Sequence, residues 1–370
     1  MASVVSDRIN ETLYMARALR LAQRGLYSVD PNPRVGCLLV KDDRVVGEGW
    51  HERTGEPHAE IHALRAAGAQ ARGATAFITL EPCSHHGRTP PCSDALIEAR
   101  IGRAVLAMED PNPKVGGKGI AAMQAAGIDV EVGLLKRQAE ALNPGFINRM
   151  CRGRPFVRAK LAASLDGRTA MASGESKWIT GIAARADVQR WRARSSAIMV
   201  GIDTIEADDP RLDVREITLP RQPLRIVVDS HLRLSPQAQI LAGTGPVLVA
   251  SADNDAARIM HLRSAQVEVL CLPEEGGQVD LTALMRALAA REINEVLLES
   301  GATLCGALLQ AQLLDELVLY LAPWLMGDQG RGMFSLPALQ RMDDRIALEI
   351  QDMRAVGSDW RIVARVRNEA

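Results

Sequence analysis

Apolar positions along the chain switch between a spacing near 3.6 and strict alternation, and the switches mark out short helices and strands. Helical spacing runs from Ser6, read as an N-cap, to about Arg24, with Gly25 as its stop. Val35 to Val40 and Val45 to Trp50 pattern as strands flanking the polar Lys41-Asp42-Asp43-Arg44, which predicts a hairpin. A helix from about His58 to Ala67, a buried strand from Ala76 to Leu80 and a helix from near Cys92 to near Arg100 follow. Val105 to Met108, Ile120 to Ala126 and Val130 to Val132 extend the alternation, so the first section predicts a sheet layered with helices.

Asn143 to Pro155 interrupts this pattern with two prolines, two glycines and several polar residues. It reads as a domain boundary near residue 150, giving domains 1–150 and 151–370. Beyond it, Val157 to Ala162, Ala197 to Gly201, Arg225 to Asp229, Val247 to Ala250, Val267 to Leu270 and Glu295 to Glu299 read as strands. Ala183 to Arg194, Ala256 to Arg263, Leu281 to Ala290 and Leu304 to Gln312 read as helices, and Glu316 to Val366 as mostly strand. Both sections are α/β by this reading; strand order is not legible from periodicity.

Composition narrows the function classes. The 370 residues are 47% hydrophobic, with 44 basic and 45 acidic side chains and a formal net charge of -1. That balance gives no electrostatic reason for a nucleic-acid partner. No run of about 18 apolar residues predicts a membrane span, and Met1 to Arg20 lacks the basic-then-apolar order of a secretory signal. Six cysteines in a chain of this length, two in metal-like context, argue for a reducing cytoplasm. Cys37, Cys151, Cys271 and Cys305 read as inert thiols.

The chemistry concentrates in His58-Ala59-Glu60, Pro82-Cys83 and Pro91-Cys92. One imidazole and two thiolates can hold Zn²⁺ and leave its fourth position to water, whose pKa then falls towards about 7. Glu60 is the candidate proton carrier. His58 and Cys92 each follow proline at a predicted helix start, where the helix dipole favours thiolate. The strand before Glu81-Pro82-Cys83 would deliver Cys83 at its carboxyl end. A structural zinc would need a fourth protein ligand, which His62, His85 or His86 could supply. The parts are those of a zinc nucleobase deaminase, but the general signature separates its cysteines by two residues. Here eight residues, Ser84 to Pro91, lie between Cys83 and Cys92. A Glu299-Ser300-Gly301-Ala302-Thr303 turn between a predicted strand and helix would let a phosphate approach backbone N–H groups; no strand is followed by Gly-x-Gly-x-x-Gly.

Longer motifs carry a resemblance. They are Pro31-Asn32-Pro33-Arg34-Val35-Gly36, Gly49-Trp50-His51, Gly55-Glu56-Pro57-His58-Ala59-Glu60, Thr79 through Cys92, and Asp110-Pro111-Asn112-Pro113. Lys160 through Arg168, Gly174 through Thr180, Asp208-Asp209-Pro210 and Glu299 through Leu304 continue it. Together they resemble the bacterial bifunctional riboflavin-biosynthesis family of diaminohydroxyphosphoribosylaminopyrimidine deaminase/5-amino-6-(5-phosphoribosylamino)uracil reductases, over nearly the whole chain. The resemblance implies an N-terminal cytidine-deaminase-like α/β/α sandwich and a C-terminal dihydrofolate-reductase-like α/β domain. It implies zinc-dependent deamination of a pyrimidine ribosyl phosphate, then NADPH-dependent reduction of the ribosyl group, and a homo-oligomer through the reductase domain.

For residues, the resemblance implies His58, Cys83 and Cys92 on the metal, Glu60 in acid/base catalysis, Asn32 and His51 on the pyrimidine ring and Arg88 on its phosphate. His85 and His86 stay open between loop packing and substrate contact. In the second domain it implies cofactor contacts at Ala162, Trp178, Thr204, Asp208, Ser230 and Gly301, Ala302, Thr303, Leu304, Cys305, Gly306 and Ala307. Substrate contacts are implied at Ser176, Arg192, Leu212, Arg215 and Glu299, with Lys160, Asp208 and Glu299 as candidates for assisting the hydride step. Trp178 could equally be a core anchor. Two alternatives stand beside this reading: a nucleoside, nucleotide or tRNA-base deaminase with an unrelated second domain, and a non-catalytic zinc-stabilised protein.

Overall fold

The computed structural model describes residues 2–84, 91–264 and 267–367. It divides into two compact units, Met1–Gly153 and Arg154–Ala370.

The first unit contains α1 (Ala2–Gln23), β1 (Gly36–Lys41), β2 (Arg44–Trp50), α2 (Ala59–Ala67), β3 (Thr75–Ile78), α3 (Cys92–Glu98), β4 (Arg103–Leu106), α4 (Lys118–Ala125), β5 (Asp129–Val132), α5 (Lys136–Leu142) and α6 (Pro144–Arg152). Its sheet has the order β2-β1-β3-β4-β5. The β1–β2 hairpin turns on Asp42 and Asp43, both at positive φ, as a two-residue turn matched to strand twist requires. β3, β4 and β5 run parallel, so their carboxyl ends share one edge. Helices cover both faces. A Cβ on Gly36 would stand 2.0 Å from Ala18 O of α1, and one on Gly47 would stand 2.2 Å from Ala63 O of α2. The pairing of Gly36 with Trp50 and Leu39 with Gly47 puts these two glycines on opposite faces. Absence of side chains there is what lets each helix backbone lie on the sheet.

One expectation changes. The first helix begins at Ala2, so Ser6 lies inside it and is no cap. Asn143 to Pro155, expected as a domain boundary, holds helix α6: Pro144 takes the first helical position, where its missing N–H costs nothing, and Gly153 ends the helix in a left-handed conformation.

The second unit contains β6 (Phe156–Ser164), β7 (Arg168–Ala170), α7 (Ile182–Arg194), β8 (Ala197–Gly201), α8 (Ile202–Asp208), β9 (Leu224–Val228), α9 (Gln239–Ala242), β10 (Val247–Ser251), α10 (Ala256–Ser264), β11 (Glu268–Cys271), α11 (Leu281–Ala290), β12 (Glu295–Leu298), α12 (Ala302–Gln310), β13 (Glu316–Ala322), β14 (Arg331–Gly332), β15 (Leu348–Val356) and β16 (Asp359–Val366). The nine-stranded sheet runs β11-β10-β9-β8-β12-β6-β13-β16-β15. From β11 to β13 neighbours are parallel; β16 and β15 close one edge as an antiparallel hairpin. The order β8, β9, β10, β11 proceeds one way from β8 while β12 and β6 lie on its other side, so the strand order reverses beside β8. Open α/β sheets bind ligands outside the carboxyl ends of strands at such a point.

Candidate active sites

In the first unit, His58 is the N-cap residue of α2 and has extended backbone, which turns its ring out of the helix. Glu60 is in that helix's first turn. Cys83 lies just beyond β3, and Cys92 opens α3 after Pro91. The three donor atoms lie within 4.8 Å of one another. His58 Nδ1 is 3.6 Å from Cys83 Sγ and 3.4 Å from Cys92 Sγ. Tetrahedral zinc at its usual bond lengths holds a nitrogen and a sulfur about 3.6 Å apart, so the side chains already stand at zinc spacing. Among the described residues, no fourth His, Cys, Asp or Glu joins this group. Zinc therefore fits, held by three protein donors among the described residues.

The thiols are electronically distinct before metal binds. The hydrogen bond from Cys92 Sγ pulls the Cys83 thiol far down, and the His58 ring and Cys92 N–H (3.4 Å from Cys83 Sγ) add to this. The same hydrogen bond and burial hold the Cys92 thiol up. A dication binding both as thiolates must displace that proton. Glu60 is 3% exposed, and burial raises its pKa, with the negative charge on Cys83 adding to the effect. Its Oε2 is buried with no hydrogen-bond partner, while the Cys92 thiol approaches the same carboxyl group.

His51 is buried beside the metal ligands, its ring edge-on to His58 with centroids 5.1 Å apart. Burial pushes its pKa down to about 4. In the neutral tautomer its Nδ1–H donates to Pro57 O (3.3 Å) and its Nε2 accepts from Asn32 Nδ2 (3.0 Å). That fixes which way the Asn32 amide points. Arg88, His85 and His86 lie outside the described residues.

Glu81 was quoted in a motif but given no role by sequence reasoning. Its buried carboxylate accepts four backbone N–H groups: Asp110 (3.1 Å), Gly117 (3.0 Å), Gly119 (2.9 Å) and Ile120 (3.2 Å). It thus ties the loop carrying Asp110-Pro111-Asn112 to the strand end that carries Cys83. Asp110, pushed up to about 6 chiefly by burial, accepts from Asn112 N–H (2.8 Å). The only signal in sequence was an acidic residue at a predicted buried strand end. Glu81→Gln is expected to lower stability by about 2 kcal/mol, since an amide oxygen cannot satisfy four amides as a carboxylate does. Thermal denaturation and zinc content after dialysis measure this; unchanged values for both would remove Glu81 from the support of the site.

In the second unit a cleft of 1430 Å³ lies over the strand ends, larger than the roughly 300–1,000 Å³ of a single-ligand pocket. Lys160 and Ala162 of β6, Gly201 to Thr204 at the β8–α8 junction, Ser230 after β9 and Glu299 to Leu304 between β12 and α12 all line it. Two hydroxyls stitch the junctions together: Ser300 Oγ accepts Gly201 N–H (3.0 Å) and Thr204 Oγ1 accepts Gly301 N–H (3.3 Å). No side chain caps α12, so its first turn is open to a phosphate. A dinucleotide beside a second ligand fits this volume and this helix start.

Ala162, Ser176, Trp178, Arg192, Thr204, Asp208, Leu212, Arg215, Ser230, Glu299, Gly301, Ala302, Thr303, Leu304 and Ala307 all line the cleft. Cys305 and Gly306 do not: they lie on the buried side of α12, where a Cβ on Gly306 would stand 2.0 Å from Ser335 O. Trp178 is no core anchor; it is 71% exposed, with the Arg185 guanidinium 4.6 Å from its ring centroid. Arg192 and Glu299, both expected on substrate, hold each other: Nε to Oε1 at 2.5 Å and Nη2 to Oε2 at 3.1 Å. Lys160 Nζ adds a third member at 3.3 Å. Burial opposes the Glu299 charge, but Arg192 and Lys160 outweigh it and hold the carboxyl at about 2. Asp208 pairs with Lys177 at 3.1 Å. All six cysteines are free; Cys37 and Cys305 are buried thiols with raised pKa, whereas Cys151 and Cys271 are at the surface.

A three-donor zinc site beside a buried carboxylate, on a sheet joined in sequence to a dinucleotide-sized cleft on a second sheet, defines a deaminase coupled to a reductase. The comparisons with known proteins place it more finely. Residues 155–362 match the family described as RibD C-terminal domain, and residues 9–108 match the cytidine and deoxycytidylate deaminase zinc-binding region. The chain belongs to the RibD family, the bifunctional zinc deaminases and NADPH-dependent reductases of riboflavin biosynthesis. It is 50% identical over 363 residues to riboflavin biosynthesis protein RibD of Escherichia coli, covering 95% of this chain and 98% of that one. Against the Haemophilus influenzae protein of the same name, identity is 47%, covering 95% and 96%. A solved structure of Acinetobacter baumannii RibD superposes with a TM-score of 0.89 at 44% identity, covering 98% of this chain and all of that one. The Thermotoga maritima diaminohydroxyphosphoribosylaminopyrimidine deaminase/5-amino-6-(5-phosphoribosylamino)uracil reductase gives 0.86 at 32%, with the same coverage. Among the described residues no helix is long and apolar enough to cross a membrane.

Proposed function

We propose that the first unit deaminates 2,5-diamino-6-ribosylamino-4(3H)-pyrimidinone 5′-phosphate and that the second reduces the product's ribosyl group with NADPH, giving 5-amino-6-ribitylamino-uracil 5′-phosphate. The observation that carries the reading is the His58, Cys83 and Cys92 triangle at zinc spacing beside the unpartnered oxygen of Glu60. Zinc held by these three residues supplies an acidified water. Glu60 is placed to take one proton from the attacking water and pass it to a ring nitrogen, and then to take the remaining proton of the added hydroxyl and pass it to the amino group, which leaves as ammonia. Burial raises the Glu60 pKa above that of an ordinary carboxylate, the direction that suits a group that must both take and give a proton. Asn32, oriented by neutral His51, presents its remaining amide atoms to the pyrimidine. Arg88 remains proposed for the phosphate on motif alone.

In the second unit, the open first turn of α12 holds a cofactor phosphate. The exposed face of Trp178 packs on the cofactor. The Lys160–Glu299–Arg192 triad fixes donors and acceptors at the cleft floor, where the ribosyl group is bound and oriented. Ser176 and Leu212 complete that wall. Leu348, Ile350, Met353 and Trp360 are exposed on the β15–β16 hairpin, which supports a homo-oligomer through this unit. Six free cysteines suit a cytoplasmic setting, and the near-neutral charge suits a small-molecule substrate and no nucleic acid.

The test is to incubate zinc-loaded protein with the pyrimidine phosphate, with and without NADPH, and follow ammonia and cofactor absorbance. Ammonia release is expected in both arms and NADPH oxidation only after deamination. Ammonia release from cytidine or deoxycytidylate with none from the pyrimidine phosphate would overturn the substrate assignment.

A further inference from the structure

The loop after α8 carries two arginines on either side of a buried carboxylate. Asp213 is 5% exposed, yet its Oδ1 has no hydrogen-bond partner. Arg211 Nη2 lies 2.9 Å from its Oδ2, and Arg215 Nε lies 3.5 Å from its Oδ1. Both arginine side chains are about half exposed, at 47% and 61%, and both line the cleft. Behind them Arg225 donates to the carbonyls of Ile240, Gly243 and Gly245, and its charge and that of Asp213 attract one another.

The backbone under this cluster is pinned. Gln222 Oε1 accepts Val214 N–H and its Nε2 donates to Val214 O, both at 2.9 Å. Gln189 Oε1 accepts Arg215 N–H (3.3 Å), and Arg192 Nη1 donates to Asp213 O (3.2 Å). Stability does not explain the arrangement. Half-exposed ion pairs contribute little, while burying a carboxylate is costly. Each arginine offers Asp213 one edge and keeps its other N–H groups available. Three guanidinium groups face one carboxylate here, while on the cleft floor Arg192 and Lys160 share Glu299, and Lys177 is matched by Asp208. Arg211 and Arg215 share the single Asp213 carboxylate, so this stretch of the cleft wall carries an excess of positive charge.

We infer that Asp213 is a positioning residue that holds Arg211 beside Arg215, the arginine already expected on the substrate, so that Arg211 adds a second direct contact, the other arm of a clamp, to the phosphate dianion of the reductase substrate. The inference rests on the reductase reading of this unit. Preorganised guanidinium forks bind phosphate without the cost of ordering two long side chains on arrival.

The test measures steady-state NADPH oxidation on the deaminated substrate for wild type, Arg211→Gln, Asp213→Asn and Arg331→Gln, the last a cleft-lining arginine outside the cluster. Calorimetric binding of ribose 5-phosphate and inorganic phosphate, NADPH affinity and thermal denaturation are measured on the same proteins. Arg211→Gln and Asp213→Asn are each expected to raise KM about tenfold with kcat within about twofold. Phosphate-probe binding should weaken in parallel, NADPH affinity should stay unchanged, and the double variant should fall short of the product of the two. An unchanged KM in Arg211→Gln, or a rise in Arg331→Gln alone, overturns the clamp. Loss of NADPH binding and thermal stability in Asp213→Asn, with kcat falling, makes Asp213 structural and overturns its positioning role. Failure of the wild type to oxidise NADPH is a separate result: it removes the reductase reading, and the clamp falls with it.

Discussion

Glu60→Gln is expected to keep its zinc and lose deamination by on the order of 10²–10⁴-fold, the range for removing a positioned acid/base. The amide matches the carboxyl in shape, so the His58, Cys83 and Cys92 triangle is undisturbed. It cannot accept the proton of the attacking water or deliver one to departing ammonia. The environment sharpens the expectation. Glu60 is buried and glutamine fills the same volume, so thermal stability should stay close to that of the wild type. A fall in activity from misfolding is therefore distinguishable from a fall in proton transfer. Ammonia release, zinc content and thermal denaturation are the three readouts, with NADPH oxidation on supplied deaminated substrate as a fourth. The last should persist, because the proposed reductase residues all belong to the other unit. Retained ammonia release would take Glu60 out of the mechanism; parallel loss of both activities would end the division into independent sites.

The metal site was legible because its chemistry is local. His58 and Glu60 share one helix start, Cys92 opens another behind a proline, and Cys83 follows a short buried strand, so spacing alone suggested convergence. What spacing could not give was the sheet order that makes it happen: β3 lies between β1 and β4, and no periodicity encodes that neighbourhood. Glu81 stayed without a role because its four partners are backbone amides more than 25 residues downstream. The boundary stretch was read from its prolines and glycines, yet Pro144 and Gly153 are the punctuation of a helix that periodicity did not reveal. In the second unit nearly all the residues named from motifs line the cleft, yet their partners were not legible. Arg192 and Glu299 are 107 residues apart in sequence, so their pairing with each other, beside the substrate role expected of both, was not legible. Cys305 and Gly306 were carried along by continuity of a motif, while the 3.6-residue period of α12 turns them into the core.

Glu299→Gln should affect stability and reduction together, through one cause. Glu299 is buried between Arg192 and Lys160, whose charges hold it ionised at about 2 against an ordinary 4.5. Because the folded-state value lies below the unfolded one, the stabilisation is fully present above about pH 4.5 and is lost as pH falls towards 2. A shift of that size corresponds to about 3 kcal/mol near neutrality. Removing the charge leaves two partly buried cations side by side, so the variant should be destabilised by about that amount at pH 7. Its unfolding temperature should then fall less steeply than that of the wild type between pH 4.5 and 2, since the group responsible no longer titrates. NADPH oxidation should drop at least about a hundredfold at pH 7, because Arg192 and Lys160 lose the anchor that orients them at the cleft floor. Deamination by the first unit should be unaffected at temperatures below the transition. A pH-stability curve for Glu299→Gln that runs parallel to the wild type through the acid window would show that the triad's charges are screened as they would be at the surface. The cleft floor would then owe its order to packing and not to this ion triad.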